Sequence, residues 1–275
     1  MHLVSRDNPK IKLYLKLSES KKARLENGLF VLEGARLCSD AINEWKKGKL
    51  TIHSVFASES ALEKYGDYID SQLFEDEKSD VFYTVDEKLC QKISDTKASQ
   101  GVYVIAEMSD NKLTEDCINP NGKYLILNNL QDPGNLGTLL RTADAVGVDG
   151  VVLSNNCCDL YNPKVLRSAM GSVFRIKTFV CNDFADCVKL MRGKGVKVWA
   201  SVVDKDATSL VDADFSCGSA VVVGNEGNGL SENDAELCDE RVTIRMQGNI
   251  NSLNVAMAGG IILWEMMRNG DKNDR

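Results

Sequence analysis

The pattern of apolar and polar positions divides the chain into two stretches of alternating helix and strand periods around one polar segment. In the first stretch, residues 9–25 have helical spacing and a basic face. Residues 29–32, 50–57, 81–85 and 101–106 are apolar runs of strand length. Residues 34–45 are helical, with Leu37, Ala41 and Trp45 near one face. Residues 107–122 (EMSDNKLTEDCINPNG) are polar, rich in turn formers and aperiodic, which predicts a linker. Beyond it, 124–130, 150–154, 176–181, 196–203, 220–223 and 241–246 read as strands. Leu136, Leu139, Leu140, Ala143 and Gly147 follow helical spacing, and Pro163 opens a helix over 163–173. Ser231 is placed as the N-cap of a further helix, with Asp234 three residues on, and 253–268 is a helix too apolar for a surface position. These elements predict a small α/β domain over residues 1–106, a linker, and an α/β domain over 123–275. The second domain is expected to have a mostly parallel sheet buried on both faces. There is no internal repeat and no low-complexity tract.

Composition narrows the class. A chain of 275 residues holds one large domain or two ordinary ones. No apolar run reaches the roughly 18 residues of a membrane span. The first 17 residues lack the apolar stretch of an export signal, so a cytoplasmic protein is expected. Nine cysteines, an odd number with no Cys-x-x-Cys spacing, point to reduced thiols and offer no thiolate metal site. Cys157 and Cys158, the one adjacent pair, read as strand-end packing. The two histidines, His2 and His53, lie outside the carboxy-terminal half, which disfavours Ser-His-Asp and Cys-His chemistry there; no metal is expected. The net charge of −7 does not advertise a nucleic-acid binder. However, Arg6, Lys10, Lys12, Lys16, Lys21, Lys22 and Arg24 face only Asp7 and Glu19 in the first 24 residues. That cluster is either a local phosphate-binding face or a solvated helix surface.

Three motifs carry the candidate chemistry. Residues 128–148 (NNLQDPGNLGTLLRTADAVGV) place Asn135 and Arg141 on one helix, six residues apart. Both can serve one site only if Asn135 lies at the helix start, where Asp132-Pro133-Gly134 predicts a loop-to-helix entry. Arg141 has an alternative use in a salt bridge with Asp144 at i+3. Residues 221–230 (VVVGNEGNGL) follow an apolar run with Gly224, Gly227 and Gly229 around one acid, Glu226. Such glycines let backbone approach a ligand, or simply make a strand-to-helix turn, and Glu226 has the alternative use of complementing a helix N-terminus. The Gly-x-Gly-x-x-Gly dinucleotide fingerprint is absent here. Residues 244–256 (IRMQGNINSLNVA) end in Ser252-Leu253-Asn254 at the mouth of the last helix, which Ser252 is placed to cap. Pro163, Lys164 and Arg167 are either phosphate contacts or solvated charges.

In this order and spacing, the three motifs resemble the SpoU/TrmH family of RNA ribose 2′-O-methyltransferases of the SPOUT superfamily, over residues 123–267. The resemblance implies a trefoil-knotted catalytic domain, S-adenosylmethionine as cofactor, and pairing as a homodimer. It implies catalytic roles for Asn135, Arg141, Glu226, Ser252 and Asn254, and cofactor contacts from Gly224, Asn225, Gly229, Ile244, Met246 and Leu253. The stretch FVLEGARLCSDAI, with Glu33 and Gly34, is similar to the ribosomal-protein-like RNA-binding domain that precedes many family members. RNA contacts are expected from Lys10, Lys12, Lys21, Lys22, Arg24, Lys164 and Arg167. Where family members have proline after the isoleucine of the third motif, this chain has Arg245. Ribosomal RNA is the first expected substrate and transfer RNA the second. The rival functions are a ribosome-assembly factor without catalysis, a base-nitrogen methyltransferase, and a small-molecule enzyme. The final apolar helix serves either a dimer interface or the core of its own domain.

Overall fold

Asn8 accepts a hydrogen bond from the Lys10 backbone, and Pro9 follows at the first helical position, so the basic stretch starts as a helix. It does not run on to residue 25. Ser20 turns extended and caps a second helix through Ala23 N–H, splitting the stretch into α1 (Pro9–Glu19) and α2 (Lys21–Asn27). The computed structural model describes residues 2–3, 5–76, 79–154 and 156–270, and the chain folds as two units. The first comprises Met1–Asp110 and Asp159–Phe174. Its sheet orders β1 (His2–Leu3), β4 (Phe82–Val85), β3 (Ile52–Ser58), β5 (Val102–Glu107) and β2 (Leu29–Glu33). β5 runs antiparallel to both β2 and β3; the other pairs are parallel. Helices α3 (Ala35–Lys46), α4 (Glu59–Ile69) and α5 (Glu87–Ile93) complete it. The hydrophobic pattern did not mark α4 or α5, because each is short and mostly polar; α4 buries only Ala61 and Ile69.

The segment Asp159–Phe174 corrects the domain division drawn from sequence, which assigns it to the carboxy-terminal half. Leu166 is fully buried in the first unit's core, with Tyr161, Val173 and Phe174 packed against that core. Tyr161 lies on Phe30 at 4.6 Å between ring centroids, and its hydroxyl accepts from Ser109 N–H. Asp159 takes the buried Arg24 guanidinium in two bonds of 2.8 and 2.6 Å. The linker also needs correction. From Asn111 onward it is packed into the second unit, with Leu113 and Ile118 buried in its core.

The second unit is a seven-stranded, all-parallel sheet ordered β10 (Thr208–Ser209), β12 (Glu240–Thr243), β9 (Lys197–Ser201), β11 (Ser219–Val223), β6 (Lys123–Leu127), β7 (Gly150–Ser154) and β8 (Thr178–Cys181). The central strands are buried along their whole length, as expected of a parallel sheet covered on both faces. Its helices are α6 (Pro133–Val146), α8 (Phe184–Gly193), α9 (Glu232–Leu237) and α10 (Val255–Gly270); α7 (Pro163–Ala169) belongs to the first unit. α8 buries Phe184, Cys187, Val188 and Met191, a helical stripe that the sequence reading left unassigned. α6 packs against α10, and the approach is close: a Cβ on Gly259 would lie 2.4 Å from Leu139 Cδ2. Outward, α10 exposes Met257, Ile261 and Trp264, so the helix read as too apolar for a surface position has one face in the core and one face open. No helix among the described residues is long and apolar enough to cross a membrane. All nine cysteines are free, and Cys157 Sγ donates to Leu127 C=O behind the first motif.

Candidate functional site

Strands in a parallel sheet present their carboxy-terminal ends at one edge, and chain segments that leave those ends form the site. A cavity of about 510 Å³ opens there. Its walls are Ser201–Asp204 after β9, Val223–Leu230 after β11, Glu232 on α9, Arg241 on β12, and the segment from Ile244 to Ala258 in part. All six residues expected to contact a cofactor line it: Gly224, Asn225, Gly229, Ile244, Met246 and Leu253. The loop after β11 is a closed clasp. Asn225 and Gly229 exchange both backbone hydrogen bonds at 2.9 Å, and Asn225 Oδ1 accepts from Gly227 and Asn228 N–H. Gly224 is sterically required, since a Cβ would lie 2.3 Å from the Gly229 carbonyl carbon and 2.4 Å from Leu230 N. Among the described residues, no backbone hydrogen bond engages residues 244–253, which leaves their N–H and C=O groups available to a ligand.

A chain of side-chain hydrogen bonds joins the three motifs. Glu226 accepts from the backbone N–H groups of Asp132 (2.8 Å) and Gln131 (3.1 Å) and from Asn135 Nδ2 (3.3 Å). Asn135 Oδ1 in turn accepts from Asn254 Nδ2 at 3.2 Å. Burial works to raise the Glu226 carboxyl. The backbone N–H groups of Asp132, Glu226 and Gln131, with the Asn135 amide, outweigh it and hold the carboxyl below the usual glutamate value. Asn254, not Ser252, caps α10: its Oδ1 accepts from Ala256 and Met257 N–H. Ser252 lines the cavity instead. Asp132 caps α6 through Asn135 N–H, which places Asn135 in the first turn.

Arg141 stands apart. It is exposed on α6, does not line the cavity, and makes no hydrogen bond or ion pair among the described residues. Its alternative partner Asp144 is taken by Arg175 at 2.8 Å. Six residues on a helix amount to a rotation of about 240°, so Asn135 and Arg141 face different ways. The residues that sequence reasoning missed are Ser201–Asp204, Glu232 and Arg241. Arg241 bridges Asp204 and Glu232 at the cavity wall. Among the described residues, no cluster of three or more His, Cys, Asp or Glu side chains is arranged for a metal ion.

The predicted RNA contacts separate into two kinds. Arg24 is a correction: it is 3% exposed, its charge is met by Asp159, and its guanidinium also donates to Leu17 C=O. Lys10 folds back over the Tyr83 ring and onto Ser54 and the Asp80 carbonyl. Lys12 pairs with Asp7 and Lys22 with Glu26. Lys21 and Lys164 are exposed without an ion pair among the described residues, and Arg167 reaches Asp95 at 2.7 Å. The basic arm is therefore less free than its composition indicates.

The model of the SpoU rRNA methylase family matches residues 122–264, the whole of the region that carries these motifs. The chain belongs to the SpoU rRNA methylase family. Within that SpoU chain, an MRM3-like substrate binding domain matches residues 8–104. The SpoU relatives include the 23S rRNA (guanosine(2553)-2′-O)-methyltransferase RlmP of Bacillus subtilis, 32% identical over 95% of this chain and 97% of that protein. The S-adenosylmethionine-bound rRNA methyltransferase of Sinorhizobium meliloti has the same architecture, with a TM-score of 0.82 and 29% identity over 98% of this chain and 97% of that one. The SpoU methyltransferase AviRb of Streptomyces viridochromogenes, at 23% identity over 97% of this chain and 99% of that one, shares the fold with a TM-score of 0.81.

Proposed function

We propose that this protein transfers the methyl group of S-adenosylmethionine to a ribose 2′-hydroxyl of RNA, with ribosomal RNA as its substrate. The observation that carries the reading is the hydrogen-bonded junction of the three motifs, Glu226 to Asn135 to Asn254, beside a cavity that the second and third motifs line. The lining suits the cofactor. Val223, Leu230, Ile244, Met246 and Leu253 give apolar walls for a flat base, and the open backbone of 244–253 supplies polar groups at its edge. The volume falls in the range of about 300–1,000 Å³ usual for small-molecule sites. Bound there, S-adenosylmethionine supplies an electrophilic methyl group on a sulfonium.

The protein's part is orientation. Asn135 and Asn254, fixed by Glu226 and the α10 cap, hold the two motif loops at one spacing, so that the ribose oxygen is aligned on the methyl carbon. Arg141, exposed on α6 outside the cavity lining, meets the RNA side of the site, where its guanidinium would donate to the ribose hydroxyl and its neighbouring phosphate as the substrate approaches and so ease loss of the hydroxyl proton. A guanidinium, always protonated, does not itself take that proton, which passes to solvent water at the open site as the oxygen gains the methyl group. The first unit selects the RNA, as the substrate-binding match over residues 8–104 supports. A second copy covers the Met257, Ile261 and Trp264 stripe of α10 to form a homodimer in the cytoplasm, and the carboxy-terminal unit carries the family's trefoil knot.

The test is methyl transfer from labelled S-adenosylmethionine to unmodified ribosomal and transfer RNA, read by nucleoside mass spectrometry, for wild type and Arg141→Ala. A 2′-O-methylribose that the variant fails to make, at unchanged cofactor affinity, is the expected result. A methylated base, or an active Arg141→Lys variant, overturns the assignment.

A further inference from the structure

The connection between α5 and β5, residues 94–101, is polar, yet it is fixed from beneath by a buried carboxylate. Glu33 is 7% exposed. It accepts from the Ser94 hydroxyl, from Asp95 N–H at 3.0 Å and from the Thr96 hydroxyl at 2.8 Å. A buried carboxylate is costly unless it is hydrogen bonded, and here every donor comes from this one loop. The far end of the loop is held as well: Gln100 Oε1 accepts from Ala35 N–H, and Ser99 Oγ accepts from Gly101 N–H. α7 then crosses to the same loop, where Arg167 Nη2 meets Asp95 Oδ2 at 2.7 Å. Arg167 Nη1 is buried from solvent and has no protein acceptor.

Two cations flank that ion pair. Lys97 is two residues beyond Asp95, and Lys164 is one turn before Arg167 on α7; both are exposed and make no ion pair among the described residues. Against Lys97, Lys164 and Arg167 the loop sets Asp95, which Arg167 takes, and the buried Glu33, whose hydrogen bonds come from the loop itself. In the basic arm, by contrast, Lys10, Lys12, Lys22 and Arg24 are already engaged.

We infer that the 94–100 loop and α7 together form a phosphate-binding surface of the first unit, seated on the phosphodiester backbone of the substrate RNA. The inference rests on the RNA methyltransferase reading above and adds the place where the RNA is held. A loop ordered before binding loses little entropy on docking. The partly exposed Arg167 guanidinium, paired with Asp95, adds its charge to this surface, whereas its Nη1 is closed to solvent and is not itself a phosphate contact. Lys97 and Lys164 contribute non-directional attraction, which positions the RNA without reading its sequence.

The experiment compares wild type, Lys97→Glu/Lys164→Glu and Lys16→Glu/Lys21→Glu in binding to 23S ribosomal RNA transcribed in vitro, over a range of salt concentrations. An acid at the first turn of α7 favours the helix, so Lys164→Glu does not compromise folding, and thermal unfolding and S-adenosylmethionine affinity are measured alongside as controls. The Lys97→Glu/Lys164→Glu variant is expected to lose RNA affinity by roughly tenfold or more, with a salt dependence shallower by about 1.5–2 in the log–log slope. The Lys16→Glu/Lys21→Glu variant is expected to lose less. If Lys97→Glu/Lys164→Glu binds within twofold of wild type, or if only Lys16→Glu/Lys21→Glu is impaired, the surface is overturned while the methyltransferase reading stands. Wild-type protein that neither binds nor methylates RNA overturns both.

Discussion

Replacing Glu226 tests whether the three motifs work as one unit. Glu226→Ala removes the acceptor for Asp132 N–H, Gln131 N–H and the Asn135 amide together. Each such bond contributes about 0.5–1.5 kcal/mol net, toward the upper end with a charged acceptor. The site is open to water, which compensates part of the loss, so the folded state loses only about 1–2 kcal/mol. The larger effect is expected in turnover. A released Asn135 no longer fixes Asn254, and a loss of about 2 kcal/mol in alignment lowers the rate roughly thirtyfold. Glu226→Gln keeps one oxygen where Asp132 and Asn135 bind and loses the charge, so its rate falls by less than that of the alanine variant. Single-turnover methyl transfer at saturating S-adenosylmethionine, with cofactor affinity measured separately, reads the two effects. Equal losses in the two variants would mean that the charge itself acts, not the positioning. Turnover within twofold of wild type in Glu226→Ala would refute the reasoning outright. The pH dependence has a fixed sign. Because the folded carboxyl sits below its ordinary value of 4.5, its contribution to stability is present above that value and is lost as the pH falls through the folded one. The alanine variant should therefore show a shallower acid decline in unfolding midpoint than wild type.

Three further outcomes are expected. Gly224→Ala forces a Cβ to within 2.3 Å of the Gly229 backbone, so S-adenosylmethionine binding measured by calorimetry should fall below detection, while the first unit stays folded by hydrogen exchange. Arg24→Ala leaves Asp159 buried and uncompensated, and chemical denaturation should show a loss of about 3–5 kcal/mol, against about 0.5 kcal/mol or less for Lys16→Ala. On the homodimer proposed above, wild type should sediment as a dimer and Trp264→Glu, in the open face of α10 where Trp264 is 63% exposed, as a monomer; a monomeric wild type, or a variant that sediments as wild type does, refutes that contact.

The motif residues were legible because each sits just past the end of a strand. Gly224 and Gly229 follow β11, Ile244 follows β12, and Gln131 and Asp132 follow β6, so the parallel order alone gathers them at one edge. Ser201–Asp204 and Arg241 carried no motif; only the adjacency of β9 to both β11 and β12 puts them in the same wall. Ser252 and Asn254 are both good cap formers, and the choice between them turns on where α10 starts, which periodicity fixes only to within a residue or two. Arg24 looked like surface charge because its partner lies 135 residues away in sequence. The same distance hid the placement of α7: its apolar positions Val165 and Leu166 state that it is buried, but not against which sheet.

That placement of Asp159–Phe174 bears on how the protein is made. The first unit's core is short of Leu166, Val173 and Phe174 until residue 174 has been synthesised, although its sheet is complete at Glu107. A nascent chain that has emerged only that far carries an open apolar surface and an unmatched Arg24. The two units cannot ripen one after the other from the amino terminus, as tandem domains ordinarily do. A cut anywhere between residues 107 and 122 likewise separates no self-sufficient fragments: the leading piece lacks part of its interior, and the trailing piece carries that missing part as exposed apolar side chains.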